Sequence, residues 1–362
     1  MSRNGFVYLH YFGETLTPWH AGILPQRMTG AGFTDYLYTR TDLLWGRGVR
    51  GPILRQLWRT YCPKSDERDA VNFSPEIDCP KCVQRDGCPF NNLRGSDDEG
   101  EWKDRPRMIV SNLRFHLPED VRRNPPRLIF NTLNEEWMGV AEERAPYTLE
   151  YIPVGVQFDF EIILMAEGAR FRDEVDRAVV ISLGFLGWGG RCNEGFGRGR
   201  IIRERVEVMG FDEFWEKKIK PVAESVMDAE RIVMEPEIML IVDRVDRDQG
   251  GFYMSPYEEG FSKKFCNLLY ERFWQFTGLQ RHIDDALERI EGDAKPMVIR
   301  GWSRRLGRRI PFIGMSGQLI LRMRRRIDFD EAELLAISRY GIGRYKNQGF
   351  GWLRIKEGVI QV

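Results

Sequence analysis

Apolar and polar positions along the chain fall into two successions of the same kind. Phe6–Phe12 is apolar or aromatic at nearly every position and predicts a strand. Ile53, Leu54, Leu57, Trp58 and Tyr61 then recur at helical spacing, with Arg55 and Arg59 opposite, and predict a helix. Met108–His116, Arg127–Phe130 and Val156–Met165 predict further strands. A helix follows with Val175, Val179, Ser182 and Leu183 on one side, then a glycine-rich loop and a strand over Arg200–Val206. Residues 211–230 predict a connecting helix. In the second half, Glu237–Val245 predicts a strand, Phe261–Phe276 a helix, and Met297–Arg304 and Ile310–Met323 strands. Ile283, Leu287 and Ile290 suggest a short amphipathic helix beginning near His282. A helix opened by Asp328, Asp330 and Glu331 then leads to a second glycine-rich loop and a strand over Gly351–Ile355.

The two loops share one pattern. Gly187-Trp188-Gly189, five residues, then Gly195-Phe196-Gly197 is matched 154 residues later by Gly341-Ile342-Gly343, five residues, then Gly349-Phe350-Gly351. Agreement at six framework positions, each preceded by strand and helix, argues for a duplicated fold. Strand, helix, loop, strand is the second half of a ferredoxin-like βαββαβ unit. The expected architecture is α+β, with two ferredoxin-like (RRM-like) domains in tandem and a zinc-binding insertion. The first domain spans 1–210, the linker helix 211–230 and the second domain 231–362.

Composition supports a globular chain without specifying a ligand. The 362 residues carry 54 Lys+Arg against 54 Asp+Glu, with 42% hydrophobic residues, which excludes a disordered or fibrous protein and a uniformly basic one. No apolar stretch approaches the roughly 20 residues of a membrane span, and the start has no apolar signal-peptide core. A cytoplasmic protein without a membrane partner is the expectation. Charge is nevertheless uneven: Arg300–Ile327 holds nine Arg and no acidic residue, which suits bidentate phosphate contact.

Four of the six cysteines, Cys62, Cys79, Cys82 and Cys88, lie within 27 residues. The Cys79-Pro80-Lys81-Cys82 knuckle with two flanking thiols fits a closed four-sulfur Zn²⁺ site, which is structural rather than catalytic. It would fold an insertion over 62–105 that is otherwise polar and aperiodic.

Glycine loops let a main chain approach phosphates closely. Arg191, Arg198 and Arg200 decorate the first loop, Arg344 and Lys346 the second. Neither loop ends in the Lys-Ser/Thr of a P-loop, and both follow helices rather than strands, which disfavours nucleotide and dinucleotide binding. RNA is the expected partner, with Arg304, Arg305, Arg308 and Arg309 and the loop residues Gly341, Gly343, Gly349 and Gly351 as further candidate contacts.

These features resemble the RAMP superfamily of CRISPR-associated proteins, and within it the endoribonucleases that process precursor CRISPR RNA. Trp45-Gly46-Arg47-Gly48-Val49-Arg50-Gly51 looks like the family's glycine-rich lead into its first helix. The cysteine cluster is similar to the zinc-ribbon-like insertion of one branch, and Arg300 through Gly317 resembles that branch's Arg/Ser strand and glycine hairpin. The resemblance implies metal-independent transesterification within a single-stranded or hairpin CRISPR repeat, giving a 2′,3′-cyclic phosphate and a 5′-hydroxyl. It implies a general base, for which His20 is selected over His10, His116 and His282, and phosphate-stabilising cations, for which Arg47 and Arg50 are nearest. Two alternatives use the same residues. One is a non-catalytic RAMP subunit holding guide RNA beside other CRISPR effector subunits. The other is a zinc-stabilised module whose arginine face meets an acidic protein.

Overall fold

The computed structural model describes residues 5–21, 35–37, 42–65, 79–94, 107–130, 147–243, 253–303, 308–346 and 349–356. It is a mixed α+β protein whose strands pair antiparallel almost throughout. The first sheet contains β1 (Phe6–Thr15), β3 (Leu43–Leu44), β4 (Met108–Val110), β5 (Leu113–His116), β8 (Gln157–Met165), β9 (Gly199–Ile201) and β10 (Glu207–Met209). Its order is β10-β1-β8-β5-β3, with β9 continuing the β10 side of β1 and β4 continuing the β5 side of β8. The second sheet runs β12-β15-β11-β16, from Leu287–Gly292, Leu319–Met323, Arg231–Pro236 and Leu353–Lys356. In the first sheet β1 lies between β8 and the half's last strands β9 and β10, and in the second β11 lies between β15 and the last strand β16. Lys295–Ser303 and Arg308–Ser316 (β13 and β14) form a separate hairpin. A small sheet joins β2 (Asp35–Leu37), β6 (Arg127–Phe130) and β7 (Tyr147–Glu150), and contains the one parallel pair among the described strands.

Alternation along β1 decides what covers the first sheet. Leu9 and Tyr11 point into a core with Val49, Ile53 and Leu57 of helix Gly46–Tyr61 and Val175 and Val179 of helix Arg172–Ile181. Phe6 and Tyr8 point the other way, into a core shared with Phe214 of the connecting segment and Phe261, Leu321 and Tyr340 of the second half. One strand thus serves two cores because successive side chains leave opposite faces. Helix Phe329–Ile337 begins in a capping box: Asp328 Oδ1 accepts the Glu331 N–H and Glu331 Oε2 accepts the Asp328 N–H.

Several expectations change: the strand expected over Met108–His116 divides into β4 and β5, and that over Ile310–Met323 into β14 and β15, which belong to different sheets. The strand expected over 237–245 is instead Arg231–Pro236; within 237–243, Met239 and Ile241 accept from the second glycine loop, Leu240 bridges to Met315, Glu237 donates to Trp352 and Val242 accepts from Met254, while 244–245 lie outside the described residues. The helix expected after His282 is strand β12, since Ile283, Ala286, Leu287 and Ile290 reach the core from a turn and a strand. The strand expected over Arg200–Val206 is strand only to Ile201 (β9); a tight turn follows at Arg203–Arg205, β10 begins beyond it at Glu207, and both strands pair with β1. The connecting helix ends at Val226 and contains a wide turn over Trp215–Ile219. No described helix is long and apolar enough to cross a membrane.

Candidate functional site

The glycine loops repeat in conformation as well as sequence. Positive φ occurs at Gly187, Gly189, Arg191, Gly195 and Gly197, and again at Gly341, Gly343, Tyr345, Gly349 and Gly351. A Cβ on Gly197 would meet the Trp188 carbonyl, and one on Gly351 would meet the equivalent Ile342 carbonyl. The glycines are therefore required by left-handed backbone and close packing. Each loop also docks on an extended segment near the first strand of its half. Gly190 and Gly197 donate to the carbonyls of His20 and Pro18, both at 2.9 Å, while Arg344 and Gly351 donate to those of Ile241 and Met239, both at 2.9 Å.

His20 thus lies against the first loop. Its Nδ1 is 3.0 Å from the Glu150 carbonyl, which can only accept, so Nδ1 carries the ring proton and Nε2 of the neutral ring keeps its lone pair. Nε2 has no hydrogen-bond partner among the described residues. Burial lowers the His20 pKa; the Glu150 carbonyl opposes this and Arg191 adds to it. The ring is accordingly neutral at pH 7, the state a proton acceptor needs.

The cations around the loops hold different positions. Arg191 pairs with Glu194 at 2.7 Å, Arg200 with Glu14 at 2.7 Å and Arg344 with Asp243 at 3.3 Å. Lys346 is mostly covered and pairs with Glu271. Arg198 is exposed, and its carbonyl accepts from the Trp19 indole at 2.8 Å. Partly exposed pairs are weak, so a phosphate can compete for these arginines. Arg50 faces inward, donating to the Leu93 and Arg94 carbonyls at the end of helix Pro89–Arg94. Arg47 lies 5.7 Å from the centroid of Phe312. Arg304 and Arg305 fall outside the described residues; Arg308 and Arg309 belong to β14, their side chains outside the description.

The second loop reaches across to the first half. Buried Asn112 accepts the Gly46 N–H at 2.9 Å and donates to the Gly349 carbonyl at 3.1 Å and to Glu237 at 2.8 Å. Trp45 packs edge-on against Phe312 and Phe350. The first loop and His20 form one cluster, whereas the second loop joins the start of helix Gly46–Tyr61.

Sequence reading missed a polar network on the first sheet. Asp159 takes His10 at 3.0 Å, His116 at 2.8 Å and Arg114 at 3.2 Å, and Arg114 also reaches Glu161 and Glu237. Its only sequence signal is alternation along β8, which sets Asp159 and Glu161 on one face. His10, Asp159 and Glu161 are the one group of potential metal-ligating atoms within 4.8 Å of each other among the described residues. Arg114 already occupies both carboxylates, so the group is an ion-pair network. His282 stacks on Tyr270 at 4.7 Å.

The four clustered cysteines are free thiols; Cys62 lies near enough to feel Cys88 and Cys82, and Cys79 to feel all three others. Burial raises the pKa of both. The Cys82 N–H donates to the Cys79 carbonyl at 3.1 Å, closing the knuckle into a turn. Four soft donors gathered on short turns fit Zn²⁺ in kind, although no three of the sulfurs lie within 4.8 Å of one another.

The RAMP superfamily model matches residues 13–200 of the chain. No curated protein matches it. Among solved structures, a Cas6 product complex aligns with a TM-score of 0.43 at 11% identity, covering 98% of this chain and 100% of that one. Thermus thermophilus Cas6 aligns at 0.42 with 10% identity over 97% and 98%. A type III-B Cmr-β complex bound to cognate target RNA aligns at 0.35 with 15% identity over 57% and 61%.

Proposed function

Because the chain belongs to the RAMP superfamily, we propose that it is a CRISPR-associated RNA-binding protein that cleaves precursor CRISPR RNA within its repeats, with His20 as general base. The observation that carries this reading is the His20 ring, anchored through Nδ1 on Glu150 beside a cationic glycine loop, with Nε2 open. In the proposed reaction, Nε2 takes the proton of a ribose 2′-hydroxyl as that oxygen attacks the adjacent phosphorus. The P–O5′ bond breaks, leaving a 2′,3′-cyclic phosphate, and a general acid or water protonates the departing 5′-oxygen. Arg191 and Arg198 would balance the charge growing on the phosphoryl oxygens.

The strand orders, with β1 between β8 and β10 and β11 between β15 and β16, support reading the halves as tandem ferredoxin-like domains, 1–210 and 231–362, joined by the 211–230 linker. Cys62, Cys79, Cys82 and Cys88 would hold one structural Zn²⁺, which supplies fold stability to the insertion and no step of the reaction.

The test is incubation of the protein in EDTA with a labelled CRISPR-repeat RNA and with a version carrying a 2′-deoxyribose at the cleavage position. The expected result is cleavage of the first alone, with a cyclic phosphate end. Binding of both without cleavage would make the chain a guide-RNA-holding subunit. No binding of either would overturn the RNA reading.

A further inference from the structure

We propose that a hollow between the connecting segment and the second half receives an arginine or lysine side chain of a basic protein partner. The hollow, of about 350 Å³, lies between the helical turns that begin at Phe211, the end of helix Phe261–Thr277 and helix Phe329–Ile337. Neither His20 nor either glycine loop is among its walls, so the surface is separate from the proposed reaction site.

Its walls are aromatic and acidic. Phe211 and Trp215 stack with ring centroids 5.2 Å apart, and Phe273 meets Trp215 edge-on at 6.0 Å. Aromatic faces attract cations. The charged walls are Asp212, Glu216 and Glu333 against one cation, Arg281. Asp212 and Glu216 stand exposed to solvent.

The hollow already holds one cation in this way. Arg281 lies 5.0 Å from the centroid of Phe273 and pairs with Glu333 at 2.7 Å and Asp330 at 3.0 Å. The Trp215 indole donates to the other Glu333 oxygen, so buried Glu333 fixes both the guanidinium and the ring. A second cation would meet the Asp212 and Glu216 carboxylates beside the Phe211–Trp215 stack. Glu216 pairs with Lys220 across one exposed helical turn, a weak contact that an incoming cation can replace. An anion, RNA phosphate included, is disfavoured because three of the four charged walls are acidic. A protein side chain fits better than a free organic cation, because Leu279, 56% exposed, offers apolar contact to the residues flanking it.

The experiment follows the Trp215 indole N–H resonance of the full-length, ¹⁵N-labelled protein, assigned by its absence in Trp215→Phe. The probes are acetyl-Gly-Leu-Arg-Leu-Gly-amide, the same peptide with Gln replacing Arg, and spermidine. The resonance should move and saturate with the arginine peptide, and the glutamine peptide should bind about tenfold more weakly. Asp212→Asn with Glu216→Gln, both exposed and isosteric, should weaken the arginine peptide about tenfold. Leu279→Ala, at the exposed edge, should weaken the peptide and leave spermidine unchanged. Equal binding of the two peptides, or no binding of the arginine peptide, would overturn the site. Spermidine binding as tightly as the arginine peptide would overturn the protein partner. Displacement of the arginine peptide from this resonance by repeat RNA would also overturn it.

Discussion

His20 and Ile241 hold equivalent places in the two halves of the chain: the His20 carbonyl accepts from Gly190 and the Ile241 carbonyl from Arg344, each at 2.9 Å and 154 residues apart along the loops. The two docked segments are the same device with different side chains. Ile241 is 3% exposed and packs in a small core with Phe312 and Phe350, so the second loop is a structural joint. His20 keeps a ring nitrogen with no partner among the described residues, so the segment docked on the first loop carries a group able to move a proton.

The matched loops should respond alike to matched substitutions. Gly197→Ala and Gly351→Ala each place a Cβ against a carbonyl, Trp188 and Ile342 respectively, at positive φ. Each should destabilise the fold by at least ~2 kcal/mol. Gly195→Ala meets nothing within 4 Å and should cost only the left-handed conformation, about 1 kcal/mol. Denaturant melts of the three variants compare these losses directly.

Asn112→Ala should be among the more damaging polar substitutions. It removes the acceptor of the Gly46 N–H and the donor to buried Glu237 and Gly349. A loss of ~2–4 kcal/mol is expected from groups left buried without partners. A melt showing less than ~1 kcal/mol would mean that the joint between the second loop and the 46–61 helix does not depend on this amide.

The cysteine cluster predicts about one Zn²⁺ per chain by elemental analysis. Cys82→Ser with Cys88→Ser should lose the metal and lower the melting temperature, and a strong chelator should lower that of the wild type. Metal content far below one would remove the zinc site.

Arginines near the loops predict a salt-dependent RNA affinity. Arg191→Ala with Arg198→Ala should weaken binding across sequences and reduce the slope of log affinity against log salt by about 1–2. The same direction is expected for Arg304→Ala with Arg308→Ala. Unchanged affinity in either pair would exclude that surface from the contact.

Much of this was legible in the sequence because glycine is the residue that left-handed, tightly packed backbone demands. The pattern 187–197 and its repeat at 341–351 mark the loops, and the acidic start at Asp328 marks the capped helix. Arg191 and Tyr345 also adopt positive φ, yet as non-glycine residues they gave no signal. Asn112 was invisible because its partners Gly46, Glu237 and Gly349 lie 66, 125 and 237 residues away. The apolar run 237–243 resembled a strand because backbone bonded to a loop buries side chains much as a ladder does. Ile283, Leu287 and Ile290 fit helical spacing, but pairing of β12 with β15 overrode it.

The most direct test of the account is the pH dependence of single-turnover repeat-RNA cleavage in EDTA, for wild type and His20→Ala. His20 acts deprotonated and its pKa is lowered from 6.5, so the wild-type rate should rise with pH only below 6.5 and be level through neutrality. Protonation of this ring in the unfolded chain also means that stability falls as pH drops below 6.5, so rates are compared where the fold is intact. His20→Ala should lose about 10²–10⁴-fold in rate while keeping RNA affinity. A variant that cleaves at the wild-type rate, with the same acidic limb, would contradict the assignment of His20 as the base.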